Sequence, residues 1–92
     1  MDEELKKLRE EIDRIDAEML SLIEERVGIA RKIGTAKKKK GLSISDPQRE
    51  KEIIDNVTKA AKIDKEFAKK LFASIIEYCK NEEKKQGGDP RP

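Results

Sequence analysis

The sequence predicts an all-α protein with three helices per chain, including one long N-terminal helix, assembled as an intertwined homodimer. Apolar residues recur at alternating spacings of three and four from Leu5 to Ala36, which is the period of a helix packed along another helix. No segment shows the alternation of apolar and polar residues that marks a half-buried strand. The 92 residues suffice for one domain with one modest core.

Helix 1 is predicted from about Asp2 to about Lys39, because no proline interrupts these residues and Gly41 then provides a stop. At about 1.5 Å per residue it is roughly 55 Å long, whereas a compact monomer of this size is roughly 30 Å across. One chain cannot cover such a helix, so a homodimer is expected. The apolar seam of helix 1 consists of Leu5, Leu8, Ile12, Ile15, Met19, Leu22, Ile29, Ile33 and Ala36.

Helix 2 is predicted to begin after Asp46, a good N-cap residue, with Pro47 at the first helical position. Its apolar face consists of Ile53, Ile54, Val57 and Ala61. Helix 3 is predicted from near Asp64, a second candidate cap, to about Lys85. Its apolar stripe consists of Phe67, Leu71, Phe72, Ile75, Ile76 and Cys79. Residues 1–85 are thus expected to form one helical domain, and residues 86–92, QGGDPRP, a disordered tail.

Composition excludes several classes of function. The 22 Lys and Arg residues nearly balance 20 Asp and Glu residues, so no overall charge favours nucleic acid or a membrane surface. The sequence contains no histidine, no glycine-rich phosphate loop and no apolar run long enough for a signal peptide or a membrane span. With one cysteine, Cys79, no intrachain disulfide can form, and a reducing cytoplasm is expected. Any chemistry must therefore depend on Arg, Lys, Asp and Glu.

Arg26 occupies a position of the seam where the spacing requires an apolar residue. Lys37 follows 11 residues later, and at about 100° per residue the two side chains point within about 20° of the same direction. They are candidates for a local anion site. Two other interpretations remain open: a charge in a seam can fix register or oligomeric state, and the lysine run at 37–40 is typical of a solvated helix end.

The segment DPQRE at 46–50 places Asp46 and Glu50 on either side of Arg49. A helix cap with a surface ion pair would explain these residues without any function. On helix 3, Glu83 lies four residues beyond Cys79 and so one turn past the apolar stripe. Simple solvation would explain its position equally well.

Three features taken together are more specific: LREEIDRIDAEMLSLIEER at 8–26, then Lys37, then DPQRE nine residues later. In these motifs, and from about Leu5 to Glu83, the sequence resembles the all-helical chorismate mutases. The resemblance implies conversion of chorismate to prephenate by an intramolecular [3,3] rearrangement with no cofactor, metal or covalent intermediate. Because the substrate is a dianion that must be held in a compact conformer, fixed cations would bind it and stabilise charge on the breaking ether oxygen.

The resemblance also implies roles for basic residues. Arg9 and Arg26 would each reach a substrate carboxylate. Lys37 would bridge a carboxylate and the ether oxygen, and Arg49 would support the side of the pocket near the ring. Arg9 and Arg26 are 17 residues apart, which is about 25 Å along a helix, and point roughly 100° away from each other. One chain cannot bring both to one small ligand, so each pocket is expected to contain residues of both subunits.

The remaining implied site residues are Asp46 and Glu50, which would take the substrate hydroxyl, and Cys79 and Glu83 on helix 3. Cys79 stands where a small polar residue often contacts a carboxylate, and Glu83 stands where many members of the family have glutamine. Only a protonated Glu83 can donate to the ether oxygen. Gln86, on the same helical face, is a rival for that role. The catalytic residues are thus predicted to be Lys37, Glu83 and Arg26.

Two alternatives from the same observations stay open. An isochorismate pyruvate lyase would share the fold and the cationic pocket. A non-catalytic helical dimer, structural or regulatory, would need only the seam. The joint presence of four cations at matching spacing counts against the second alternative; they are Arg9, Arg26, Lys37 and Arg49.

Overall fold

The computed structural model describes residues 2–87, which contain three helices and no strand. Helix α1 spans Asp2–Lys40, α2 spans Pro47–Ala60 and α3 spans Lys65–Gly87. The prediction of an all-α fold with three helices is confirmed. Helix α3 continues to Gly87, two residues beyond its predicted end. The rest of the predicted tail, 88–92, lies outside the described residues.

The two short helices begin at aspartate caps. The Asp46 carboxylate accepts a hydrogen bond from the Arg49 N–H at 3.1 Å, and Pro47 occupies the first helical position. At the start of α3 the Asp64 carboxylate accepts from the Phe67 N–H at 3.2 Å. Both caps are those that the sequence predicts.

Helix α1 ends at a glycine in the left-handed conformation. Gly41 has φ +68°, which L side chains rarely adopt. The Leu42 N–H donates to the Lys37 carbonyl at 2.8 Å, and the Gly41 N–H donates to the Lys38 carbonyl at 3.2 Å. This pair of bonds is the Schellman arrangement, and it turns the chain back toward α2.

Helix α3 packs against α1 on one side and α2 on the other. The buried centre of the α1–α3 contact is formed by Val27, Ala30 and Cys79, against which Ile23 and Ile75 pack. Small side chains at this contact let the two helices approach closely. The chain measures 59 × 31 × 16 Å, so its long first helix extends well beyond the part that α3 covers.

The apolar seam of α1 is uncovered in the single chain. All eight of its large apolar residues are exposed. The least exposed is Ile15, at 42%, and the most exposed is Leu22, at 65%. A soluble monomer rarely exposes so much contiguous apolar surface. No helix within residues 2–87 is long and apolar enough to cross a membrane.

Candidate active site

A cavity lies where α1, the α1–α2 connection, α2 and α3 meet. All of its empty space, including the part open to solvent, amounts to about 370 Å³. Seven of the eight site residues predicted from the sequence line it, and Arg9 does not. The lining residues are Arg26, Lys37, Ile44, Asp46, Arg49, Glu50, Ile53, Ile76, Cys79, Lys80 and Glu83.

Lys37 lines this cavity and is held in place by two hydrogen bonds. Its Nζ donates to Glu83 Oε1 and to the Ile44 carbonyl, both at 2.8 Å. The side chains of Lys37 and Glu83 are only 17% and 14% exposed. The solvated-helix-end interpretation is therefore wrong for Lys37, although the next three lysines are exposed. Because an ammonium has three N–H donors, one remains for a ligand.

Arg26 is half-buried beside a neutral group. Its Nη1 donates to Cys79 Sγ at 3.0 Å, and Cys79 is only 3% exposed. None of the ion pairs within residues 2–87 involves Arg26. A partly buried guanidinium without a carboxylate partner is costly, and an anion in the cavity would compensate it.

Helix α2 contributes residues that also have structural partners. Asp46 caps the helix, as described above, and Arg49 Nη1 forms an exposed ion pair with Glu52 Oε1 at 3.2 Å. In the single chain, Asp46 is thus a helix cap and Arg49 forms a surface ion pair with Glu52, as the interpretation without a function expects. Both nevertheless line the cavity, and Arg49 can turn toward a bound anion at little cost because exposed ion pairs are weak.

Lys80 is a lining residue that the sequence interpretation missed. Its Nζ lies 3.2 Å from Glu50 Oε2 and 3.8 Å from Glu77 Oε1. The hydrogen bond with Glu50 raises the Lys80 pKa above its usual value, so the ammonium is charged at neutral pH. A signal was present, since Ile76, Lys80 and Glu83 recur at spacings of four and three and so share one helical face.

The position that faces Lys37 belongs to Glu83 and not to its rival Gln86. Gln86 is exposed and does not line the cavity. Glu83 Oε1 accepts from Lys37, so in this arrangement the carboxyl group acts as an acceptor. Within residues 2–87 no three carboxylate or thiol groups come close enough together to hold a metal ion.

A second unpredicted cluster fixes α3 next to Glu83. Glu82 is 4% exposed; Arg31 Nε donates to its Oε1 and Lys85 Nζ donates to its Oε2, both at 2.9 Å. Both hydrogen bonds lower the Glu82 pKa, and the one from Lys85 has the larger effect.

One turn along α1, a Cβ on Gly34 would lie 2.8 Å from Glu83 Cα and closer still to its carbonyl oxygen. The backbone of Glu83 is thus packed directly on α1.

The cavity continues toward the exposed seam of α1. A neighbouring recess shares Arg26, Lys37 and Glu83 with the cavity and is also lined by the seam residues Ile29 and Ile33. The binding space is therefore open on the side where the seam is uncovered. Arg9 lies on a separate part of the α1 surface, among Leu5, Glu10 and Asp13.

The sequence matches one protein family and several named proteins. A family profile described as chorismate mutase type II matches residues 8–84. The chain is 42% identical over 89 residues to a bifunctional chorismate mutase/prephenate dehydratase of Aquifex aeolicus, covering 90% of this chain and 25% of that protein. It is 39% identical over 83 residues to a chorismate mutase of Methanocaldococcus jannaschii, covering 87% of this chain and 84% of that one. An intracellular chorismate mutase of Mycobacterium tuberculosis is 35% identical over 65 residues, which are 71% of this chain and 62% of that protein.

Proposed function

The chain belongs to the chorismate mutase type II family, and we propose that it converts chorismate to prephenate in a cationic pocket shared between the two subunits of a homodimer. The reaction is an intramolecular [3,3] rearrangement on the route to phenylalanine and tyrosine. It breaks one ether C–O bond and forms one C–C bond, so no group is transferred to or from the protein. What the protein must supply is position and charge.

One observation carries the proposal: Arg26 and Lys37, which are 11 residues apart on one face of α1, line the same cavity, and both are partly buried. A substrate carboxylate can accept from Arg26, which has no carboxylate partner among the described residues. Lys37 is already fixed by Glu83 and the Ile44 carbonyl, so its remaining N–H can be aimed at the ether oxygen before the substrate binds. Preorganised cations of this kind favour the transition state, where negative charge grows on that oxygen.

Glu83 is the second group that would serve the ether oxygen. It lies on the same wall as Lys37, and in its protonated form it would donate a hydrogen bond there. Asp46 and Glu50 would take the substrate hydroxyl, Asp46 through its backbone because its carboxylate caps α2. Cys79 would contribute packing and its contact with Arg26 rather than a strong hydrogen bond, because a thiol is a weak donor.

The pocket requires a second chain for two reasons. The binding space opens toward Ile29 and Ile33 of the uncovered seam, so a helix seated on the seam would form the missing wall. Arg9 lies on a part of α1 remote from this cavity, and an antiparallel partner helix would bring Arg9 of the partner subunit to it. With one free thiol and no disulfide within the chain, we assign the dimer to the reducing cytoplasm.

The two alternatives have weaker support. An isochorismate pyruvate lyase would use a similar pocket, but the named relatives reported above are chorismate mutases. A non-catalytic helical dimer would leave the half-buried Arg26 without a carboxylate partner among the described residues. Since the chain spans a quarter of the Aquifex relative, that relative's dehydratase activity is not proposed for this chain.

Incubation of the purified protein with chorismate tests the proposal directly. We expect loss of the ultraviolet absorbance of chorismate and accumulation of prephenate, with saturation at high substrate concentration. Arg26→Ala serves as the control, because it removes the proposed carboxylate contact. Release of pyruvate from isochorismate without turnover of chorismate would instead identify a lyase, and no turnover of either would favour the non-catalytic dimer.

A further inference from the structure

We propose that Lys80 is a positioning residue for the substrate pocket: it holds the Glu50 carboxylate against the cavity wall and offsets its charge, so that a dianion can bind beside it. The inference rests on the proposed function and deepens it. Neither the resemblance nor the motif spacing assigns a role to this lysine.

The geometry places Lys80 between two helices. From α3 its Nζ reaches across to Glu50 Oε2 on α2 at 3.2 Å, with side chains that are 22% and 31% exposed. Its second acidic neighbour, Glu77, is farther away at 3.8 Å, is 63% exposed and does not line the cavity. The contact with Glu50 therefore dominates. Since Lys80 occupies one oxygen of Glu50, the other oxygen is left to accept a hydroxyl hydrogen of the substrate.

The charge of the cavity makes this contact necessary. One chain provides four cations, Arg26, Lys37, Arg49 and Lys80, and three carboxylates, Asp46, Glu50 and Glu83, which leaves a formal charge of +1. Without Lys80 the formal charge would fall by one, and the uncompensated Glu50 carboxylate would repel the carboxylates of the substrate.

Lys80 would act through Glu50 on substrate binding and not on the bond that breaks. The substrate hydroxyl takes no part in the bonds that change, so its contact with Glu50 is equally strong in the ground state and the transition state. Loss of such uniform binding raises KM and leaves kcat nearly unchanged. This separates Lys80 from Lys37, whose loss is expected to lower kcat.

The test measures kcat and KM for chorismate in Lys80→Met, Lys80→Arg, Glu50→Gln and the double variant of Lys80→Met with Glu50→Gln. Lys80→Met keeps the apolar stem and removes the charge. We expect KM to rise about tenfold in Lys80→Met with kcat within about twofold, and Lys80→Arg to restore most of the loss. In the Glu50→Gln background, Lys80→Met should have little further effect, because the charge that Lys80 offsets is absent.

Lys51→Met is the matched control. Lys51 also pairs with an acid, Asp55 at 2.9 Å, but it is 77% exposed and does not line the cavity. It should leave both kinetic constants unchanged, which excludes an effect of net charge alone. Circular dichroism and the melting temperature of each variant identify a variant that fails to fold, and Lys80→Arg then provides the comparison.

Three results would overturn the inference: Lys80→Met with wild-type kinetics, an equal rise of KM in the Glu50→Gln background, or a fall confined to kcat. Wild-type turnover of chorismate in the same series separates the two proposals. With an active wild type, each of these results overturns only the role of Lys80, whereas an inactive wild type overturns the proposed function.

Discussion

At the scale of single residues, Lys37 has both a structural and a proposed catalytic task. Its ammonium joins α1, the α1–α2 connection through Ile44 and α3 through Glu83, and its side chain is mostly buried. Removal would leave the Glu83 carboxylate partly buried without a partner, which destabilises a fold. The lysine therefore cannot be treated as a surface residue.

We expect Lys37→Ala to lower kcat by about 10²- to 10³-fold, because it removes a preorganised cation from the ether oxygen. It should also lower the melting temperature while leaving the helical content intact. Steady-state kinetics at a temperature where the variant is folded, together with circular dichroism, check both effects. Lys38→Ala, at an exposed neighbouring position, is the control and should behave as wild type. Near-normal turnover in Lys37→Ala would reduce Lys37 to a structural role.

Glu83 gives a prediction of pH dependence. If a protonated Glu83 carboxyl donates to the ether oxygen, activity should be highest at acidic pH and lower at neutral pH. Glu83→Gln should flatten the profile and preserve or raise activity near neutrality, because the amide N–H donates at every pH while its oxygen still accepts from Lys37.

The pH profile of kcat is to be measured for the wild type, Glu83→Gln and Gln86→Ala. Gln86 is exposed, so its alanine variant should match the wild type. A flat wild-type profile with activity lost only in Gln86→Ala would show that the wrong residue has been assigned to the pocket.

Seven of the eight predicted site residues line one cavity, whereas the sequence did not predict what surrounds them there. Periodicity singled out Arg26 and Lys37, because helical geometry fixes which residues share a face, and the resemblance to the family added Glu83. The same periodicity could have indicated Lys80, but a lysine next to Cys79 resembles an ordinary solvated residue. The burial of Lys37 was not predictable, since it depends on the path of the α1–α2 connection and on the proximity of α3, which no local pattern encodes.

At the scale of elements, the close contact between α1 and α3 positions Glu83. Gly34 lets the α3 backbone lie directly on α1, and Arg31 holds Glu82 one residue before Glu83. Spacing alone gave no sign of this contact. A glycine inside a helix costs stability by propensity, and here the close approach of a second backbone explains its presence.

Gly34→Ala is expected to destabilise the protein by about 1–3 kcal/mol, because the new methyl group meets backbone atoms of Glu83 that cannot rotate away. Activity should fall as Glu83 is displaced. Gly28→Ala is a matched control, since a Cβ there has nothing within 4 Å. It should stabilise the protein by up to about 1 kcal/mol through helix propensity. Urea denaturation compares the two, and an equal effect of both substitutions would contradict the close-contact account.

The hydrogen bonds of Glu82 indicate how the stability of the fold should change in acid. Hydrogen bonds from Lys85 and Arg31 lower its pKa in the folded state below the ordinary value of 4.5. Its contribution to stability is therefore present above pH 4.5 and is lost as the pH falls through the lower folded-state value. Glu82→Gln should be less stable than wild type at neutral pH, and the difference should shrink in acid.

Urea midpoints between about pH 3 and pH 7 measure this difference. Glu66→Gln is the control, because Glu66 is 70% exposed and pairs weakly with Lys69 at 3.4 Å. A stability difference between Glu82→Gln and wild type that does not change with pH would argue against an ionised Glu82 as the anchor.

At the scale of the whole molecule, one chain leaves part of its apolar surface uncovered. Its long helix exposes an apolar seam, and its cavity opens toward the same seam. Sequence length and helix length predicted that one chain leaves its first helix partly uncovered, because about 55 Å of helix exceeds the span of so short a compact chain. The orientation of the partner does not follow from one chain, because it depends on contacts between two copies.

Subunit mixing tests the shared pocket most directly. Arg9→Ala and Arg26→Ala homodimers should each be nearly inactive, since every pocket would lack one carboxylate contact. After the two variants are mixed and exchange subunits, half of the dimers should be mixed, and each mixed dimer should hold one intact pocket. Activity should then return to about a quarter of the wild-type value per site. If exchange is demonstrated by mass spectrometry and no activity returns, the pocket is not built across the dimer.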